Sequence, residues 1–87
     1  MINYRLVIVR KRTGPAARRA LAARLKHCRE MAAITQAQLA EKLGRPQSYI
    51  SKIEVGERKL EATEFLELID ILRIDISSFL LNVKNEL

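Results

Sequence analysis

Residues 35–54, TQAQLAEKLGRPQSYISKIE, carry the pattern of two short helices joined by a tight turn. Thr35 and Gln38 have the spacing of a capping box, in which the threonine oxygen accepts an unpaired backbone N–H at a helix start. Gly44 then ends the first helix, because glycine adopts the left-handed conformation after a helix at almost no cost. Pro46 suits the start of the second helix, where its missing N–H is no loss.

Both helices of this segment are predicted to have an apolar side and a polar side. The apolar spacing indicates that the first helix buries Leu39, Ala40 and Leu43, and that the second buries Ile50 and Ile53. The second helix then leaves a polar row facing outward, made of Gln47, Ser48, Ser51 and Lys52. Such a row is suited to contact with a flat, charged surface.

Hydrophobic periodicity predicts three further helices, and therefore an all-α domain of five. One runs from Ala16 to about Ala32, one spans residues 62–72, and the last follows Asp75, a good N-cap, to about Val83. The inner face of the helix at 62–72 is predicted to carry Phe65, Leu66, Ile69 and Leu72. That of the last helix is predicted to carry Ile76, Phe79, Leu80 and Val83.

Length and composition indicate one small domain. The 87 residues suffice for a single domain, and a hydrophobic content of 48% is ample for a core without disulfides or a metal. The single cysteine, Cys28, excludes an intrachain disulfide and fits a reducing compartment. No apolar run approaches the roughly 20 residues that span a bilayer, and the N-terminus lacks a signal-peptide cleavage site. We therefore expect a cytoplasmic protein that does not enter membranes.

The net charge of +6 is unevenly distributed along the chain. Residues 1–34 contain nine Lys/Arg and one acid, residues 35–60 contain five and three, and residues 61–87 contain two and six. The segments therefore carry +8, +2 and −4. A basic front with an acidic back is typical of a protein that docks on a polyanion by one face, although surface solubility alone also accounts for it.

Two strings at matched spacing carry a family resemblance: T-Q-x-x-L-A-x-x-L-G, and then Q-S-Y-I-S-K-I-E-x-G-E-R. They resemble the phage-repressor/Cro-type (XRE-type) helix-turn-helix family, and the resemblance covers roughly residues 21–81. It implies a compact five-helix, repressor-like domain in which residues 35–54 are the helix-turn-helix motif. It also implies binding to double-stranded DNA, generally as a dimer on a two-fold-related operator, and regulation of transcription.

The chain departs from the family pattern at two helix ends. The family usually has glycine after the first and fourth helices, where this chain has Ala33 and Arg73. A residue other than glycine in the left-handed conformation is unfavourable by roughly 1 kcal/mol. We therefore expect these two helices to end differently from those of the family.

The resemblance places a set of polar residues at the DNA surface, and their chemistry supports the assignment. Gln47 begins the helix that enters the major groove in this docking mode, and glutamine pairs bidentately with adenine. Gln36 opens a helix whose free N–H groups favour a phosphate. Residues flanking the second helix suit phosphate contact rather than base readout. The full predicted set is Gln36, Arg45, Gln47, Ser48, Tyr49, Ser51, Lys52, Arg58 and Lys59. Taken singly, each also fits an ordinary solvated side chain.

Arg29 and Glu54 match family positions that form a partly buried ion pair between the first helix and the end of the recognition helix. The resemblance therefore implies a structural role for this pair.

No residue pattern indicates an enzyme, a metal or a cofactor. His27 and Cys28 are adjacent, and adjacent helical residues point about 100° apart, so they cannot grip one ion together. A single His and a single Cys cannot form a zinc site within one chain. Cys28 lies on the apolar stripe of the first helix and is predicted to belong to the core. The acids of the helix at 62–72 are predicted to lie on a solvated face: Glu61, Glu64, Glu67 and Asp70.

Surplus apolar residues in the last two helices predict a homodimer. They are Leu68, Ile71, Ile74, Ile76, Leu81 and Leu87, and exposed apolar patches usually mark interfaces. A two-fold dimer through this region would separate two recognition helices by about 34 Å, one DNA turn.

Residues 1–15 stand apart as an N-terminal basic arm or strand, and residues 16–87 form the domain. Alternation over residues 3–10 predicts a short strand, which must pair with a partner or remain an arm. Residues 10–12 are basic and suit DNA contact or simple solvation. A strand that adds to a partner's sheet supports an alternative function. In that alternative, the chain is an antitoxin or adaptor-type module that holds a protein partner.

Overall fold

The computed structural model describes residues 14–87, which form five helices and no strand. These are α1 (Pro15–Met31), α2 (Gln36–Leu43), α3 (Gln47–Glu54), α4 (Ala62–Leu72) and α5 (Ile76–Asn85). The all-α, five-helix prediction is thus confirmed. The strand expected at 3–10 and the basic residues 10–12 lie outside the described residues. Across residues 14–87, every helix is too short or too polar to cross a membrane.

The start and end of α2 follow directly from the local sequence. The Thr35 hydroxyl accepts the Gln38 N–H at 3.0 Å, and the Gln38 side chain accepts the Thr35 N–H at 2.8 Å, so both halves of the capping box are present. Gly44 adopts the left-handed conformation with φ of 67°. Pro46, at φ −65°, is the N-cap of α3. The turn between the two helices is therefore only three residues long, from Gly44 to Pro46.

The core forms where α1 packs against α3 and α5, and where α2 packs against α3. Leu25 of α1, Leu39 of α2 and Ile50 of α3 are each nearly completely buried. The rings of Phe65 and Phe79 lie 5.4 Å apart and join α4 to α5. Because α3 is held by its apolar side, its polar side faces outward.

The predicted inner face of α4 is correct at Leu72 and at Phe65, which packs against the core, but wrong at Leu66. Leu66, expected on the inner face, is 61% exposed, whereas Leu68, expected to be surplus surface, is 2% exposed. The buried face instead carries Glu64, Leu68 and Leu72, spaced four residues apart. With this face buried, the Glu64 carboxylate pairs with Arg45 and Arg58, as a buried charged group requires.

The last helix also exposes residues that the pattern placed inside. Ile76 and Leu80 are exposed, while Phe79 and Val83 are buried. The exposed apolar residues of α4 and α5 are therefore Leu66, Ile76, Leu80 and Leu81, followed by Leu87 after the end of α5.

The expectation that α1 and α4 end without the left-handed conformation is also wrong. Ala33 has φ 60° and Arg73 has φ 53°. The left-handed conformation, which is unfavourable for these residues, is stabilised because the residues that follow them, Ile34 and Ile74, pack against the core. Their N–H groups also close the helix ends, on the Arg29 carbonyl at 3.4 Å and the Ile69 carbonyl at 3.0 Å.

Candidate nucleic-acid interface

The outer side of α3 presents the polar row predicted from the sequence. Gln47, Ser48 and Lys52 are exposed, whereas Ser51 is half-buried and donates its hydroxyl to the Ser48 carbonyl at 3.2 Å. A hydroxyl that already donates within its own helix has less freedom to reorient. The row is thus a set of three exposed side chains and one constrained one.

Arg29 and Glu54 form the predicted ion pair between α1 and α3. Arg29 Nε donates to Glu54 Oε2 at 2.6 Å and Nη2 donates to Oε1 at 3.2 Å, which is bidentate geometry. Their side chains are only 11% and 4% exposed. Arg29 Nη1 also donates to the Ile34 carbonyl at 2.8 Å. The hydrogen bond to Glu54 raises the pKa of Arg29, so the pair stays charged and ties α3 to α1.

Gln36 extends this network to the start of α3. Its Nε2 donates to Glu54 Oε1 at 2.9 Å, and its Oε1 accepts from Gln47 Nε2 at 3.3 Å. The side chain of Gln36, predicted to reach a phosphate, is therefore engaged within the protein and orients Gln47. A continuous polar chain runs from Arg29 through Glu54 and Gln36 to Gln47.

A second network surrounds Glu64, which the sequence placed on a solvated face. That prediction is wrong, because the Glu64 side chain is only 7% exposed. Its Oε2 accepts from Arg58 Nη2 at 2.6 Å and lies 3.5 Å from Arg45 Nη1. The two guanidinium carbons lie 4.8 Å (Arg58) and 4.6 Å (Arg45) from the ring centroid of Tyr49. We call Arg45, Tyr49, Arg58 and Glu64 the Glu64 cluster.

The Glu64 carboxylate is held in its ionised form. Its Oε1 accepts the Glu61 N–H at 2.9 Å, which completes a capping box at the start of α4. This backbone hydrogen bond, followed by the hydrogen bond from Arg58, lowers the pKa of Glu64 from 4.5 to about 2, against the opposing effect of burial. The Glu61-x-x-Glu64 spacing was the one sequence signal that could have marked Glu64 as a capping residue.

The remaining predicted residues are separate from both networks. Lys52 and Lys59 are exposed and form no ion pair with any of residues 14–87. Cys28 is half-buried and packs against the core, and this burial raises the pKa of its thiol. His27, its neighbour, is exposed.

Comparison with models of protein families gives a match over most of the chain. A family model described as a helix-turn-helix domain matches residues 20–77, well over half of the chain. The matched segment runs from within α1 to the first turn of α5 and includes all of α2, α3 and α4. No curated protein is significantly similar in sequence to this chain.

Proposed function

This chain belongs to the helix-turn-helix domain family of DNA-binding regulators, and on that premise we propose that it is a sequence-specific transcriptional repressor. In this proposal α3 enters the major groove of double-stranded DNA, and two copies of the chain bind a two-fold-related operator. The observation that carries the proposal is the exposed polar row on a helix whose inner side is fixed by Ile50, Ile53 and Glu54.

Each residue of the proposed interface has a role that fits its position. Gln47 at the start of α3 reads adenine, Ser48 contacts either base type, and Lys52 contacts guanine or a phosphate. Ser51 and Tyr49 border this row. The phosphate contacts come from Arg45, Arg58, Lys59 and the start of α2 at Gln36.

A homodimer through α4 and α5 is supported by their apolar surface. Ile76 and Leu80 lie on one side of α5 at i and i+4, and both are exposed. Burying such a stripe against a second copy removes apolar area from water, at roughly 25 cal/mol per Å². The dimer would also present two copies of α3 to successive turns of DNA. The antitoxin or adaptor alternative rested on residues 3–10, and no contact among residues 14–87 favours it.

Selection of bound sequences from random double-stranded DNA tests the proposal. We expect the wild-type protein to enrich one two-fold-related sequence. Gln47→Ala should lose about 1–3 kcal/mol of binding free energy on that sequence and relax the preference at one position of each half-site.

Lys59→Ala is the control, because removal of a phosphate contact should weaken all sequences alike. Equal weakening of all sequences by Gln47→Ala would make Gln47 a phosphate contact only. Failure of the wild-type protein to enrich any sequence would contradict the proposed function itself.

A further inference from the structure

The Glu64 carboxylate pairs with residues next to both ends of the proposed recognition helix, α3. What this position implies for DNA binding rests on the proposed function. Arg45 immediately precedes the N-cap of α3, and Arg58 follows its end by four residues. One carboxylate therefore pairs with an arginine on each side of the helix, at 3.5 Å and 2.6 Å.

The carboxylate is fixed independently of the two arginines. Its Oε1 is held by the Glu61 N–H at the start of α4, so only Oε2 is shared between Arg58 and Arg45. The ring of Tyr49 lies beside both guanidinium groups, and Arg58 Nε is buried without a hydrogen-bond partner in the described part of the chain. These contacts restrict where the two guanidinium groups can move.

The cluster still leaves each arginine accessible from outside, since both side chains are 39% exposed. The cluster has a net charge of +1, whereas the two arginines alone would carry +2. A DNA phosphate that approaches Arg58 must therefore compete with a carboxylate already 2.6 Å away.

Nonspecific DNA binding depends almost entirely on phosphate neutralisation, so it loses most from this competition. In a specific complex the base contacts add binding free energy, which offsets the cost of exchanging the carboxylate for a phosphate.

We propose that Glu64 is a specificity-determining residue, which withholds Arg45 and Arg58 from the phosphates of nonspecific DNA. The two arginines contact phosphate only where α3 is seated on its preferred sequence. Glu64 acts on DNA through the arginines and does not touch it.

The first test is Glu64→Gln, which removes the charge and keeps an oxygen for the Glu61 N–H. Binding is measured on the sequence enriched by selection and on a scrambled duplex of equal length, over a range of salt concentrations. We expect affinity for the scrambled duplex to rise severalfold, and its log–log salt slope to steepen by about 0.9 for each additional phosphate contacted. Affinity for the enriched sequence should change less, so the specificity ratio falls.

Glu67→Gln is the matched control, because it removes the same charge from an exposed position of α4 that forms no ion pair within residues 14–87. If Glu64→Gln changes the scrambled-duplex affinity and salt slope no more than Glu67→Gln does, the proposal is overturned.

If Glu64→Gln does not fold, a second pair of variants tests the same proposal. Arg58→Gln removes a cation already paired with Glu64. Lys59→Gln removes a neighbouring cation that forms no ion pair within residues 14–87. We expect Lys59→Gln to reduce the salt slope on scrambled DNA by about 0.9. Arg58→Gln should leave that slope unchanged and weaken only the enriched sequence.

An equal loss of slope in the two variants would show that Arg58 is already available to any phosphate, and would overturn the proposal while leaving the proposed function intact. Absence of any preferred sequence for the wild-type protein would instead overturn the proposed function, and this inference with it.

Discussion

The side chains of Arg29 and Glu54 are an ion pair almost removed from water, and such a pair is costly to break. The carboxylate accepts from Arg29 through both oxygens and from Gln36 through one of them. Truncating one partner leaves the other charge buried and uncompensated. The intact pair therefore fixes the position of α3 on α1.

We predict that Glu54→Ala lowers the free energy of unfolding by about 3 kcal/mol, because it leaves the Arg29 guanidinium with only the Ile34 carbonyl as acceptor. Urea denaturation followed by circular dichroism measures the change.

Glu57→Ala serves as the control, since Glu57 is exposed and has no ion-pair partner within residues 14–87. Equal stability of the two variants would contradict a structural role for the Arg29–Glu54 pair.

At the scale of the elements, α2 and α3 are two short helices whose joining turn is specified by the local sequence. α2 and α3 are eight residues each, too short to be stable in isolation. The capping box of Thr35 and the left-handed Gly44 limit where they begin and end. Their stability comes from the packing of their apolar sides, that of α2 against α3 and that of α3 against α1.

The end of α1 stores strain at Ala33, whose φ is 60°. We predict that Ala33→Gly stabilises the protein by about 0.5–1 kcal/mol, because glycine adopts this conformation without a Cβ clash. The neighbouring change Ala32→Gly should instead destabilise it by a similar amount, since Ala32 has φ −81°. Thermal denaturation of both variants checks the opposite signs, and a destabilised Ala33→Gly would contradict the strain.

At the scale of the whole molecule, the polar row and the apolar surface belong to different helices. The polar row lies on α3, whereas the exposed apolar side chains concentrate on α4, α5 and the C-terminus. In the proposed function, such a separation allows one surface to bind DNA while another binds a second copy.

If the protein forms the proposed dimer, we predict that Leu80→Glu converts it to a monomer, because the change places a charge on the apolar side of α5 that a second copy would bury. Analytical ultracentrifugation at micromolar concentration measures the molar mass.

Val55→Glu is the control, since Val55 is 62% exposed but lies beyond the end of α3. Monomeric wild-type protein, or equal dissociation by both variants, would contradict dimerisation through α5.

Much of this arrangement follows from local sequence. Thr35 and Gln38 predict a helix start because a cap needs only neighbouring atoms, and Leu39, Ile50 and Ile53 predict buried sides because periodicity is local. The five helices were predicted on these grounds. The inner face of α4 was not, since Leu66 and Leu68 are chemically equivalent and either could pack inward.

The burial of Glu64 shows where local sequence is insufficient. Its charge argues for exposure, and the buried carboxylate is stabilised by the Glu61 N–H together with Arg58 and Arg45. The two arginines come close to it only in the folded chain. In the same way, the left-handed Ala33 is imposed by the packing of Ile34 on the core against its own conformational preference. Caps, turns and helix periods depend on a few bonded neighbours and are therefore encoded locally. The partners of buried charges depend on contacts between distant segments, which exist only once the helices have packed.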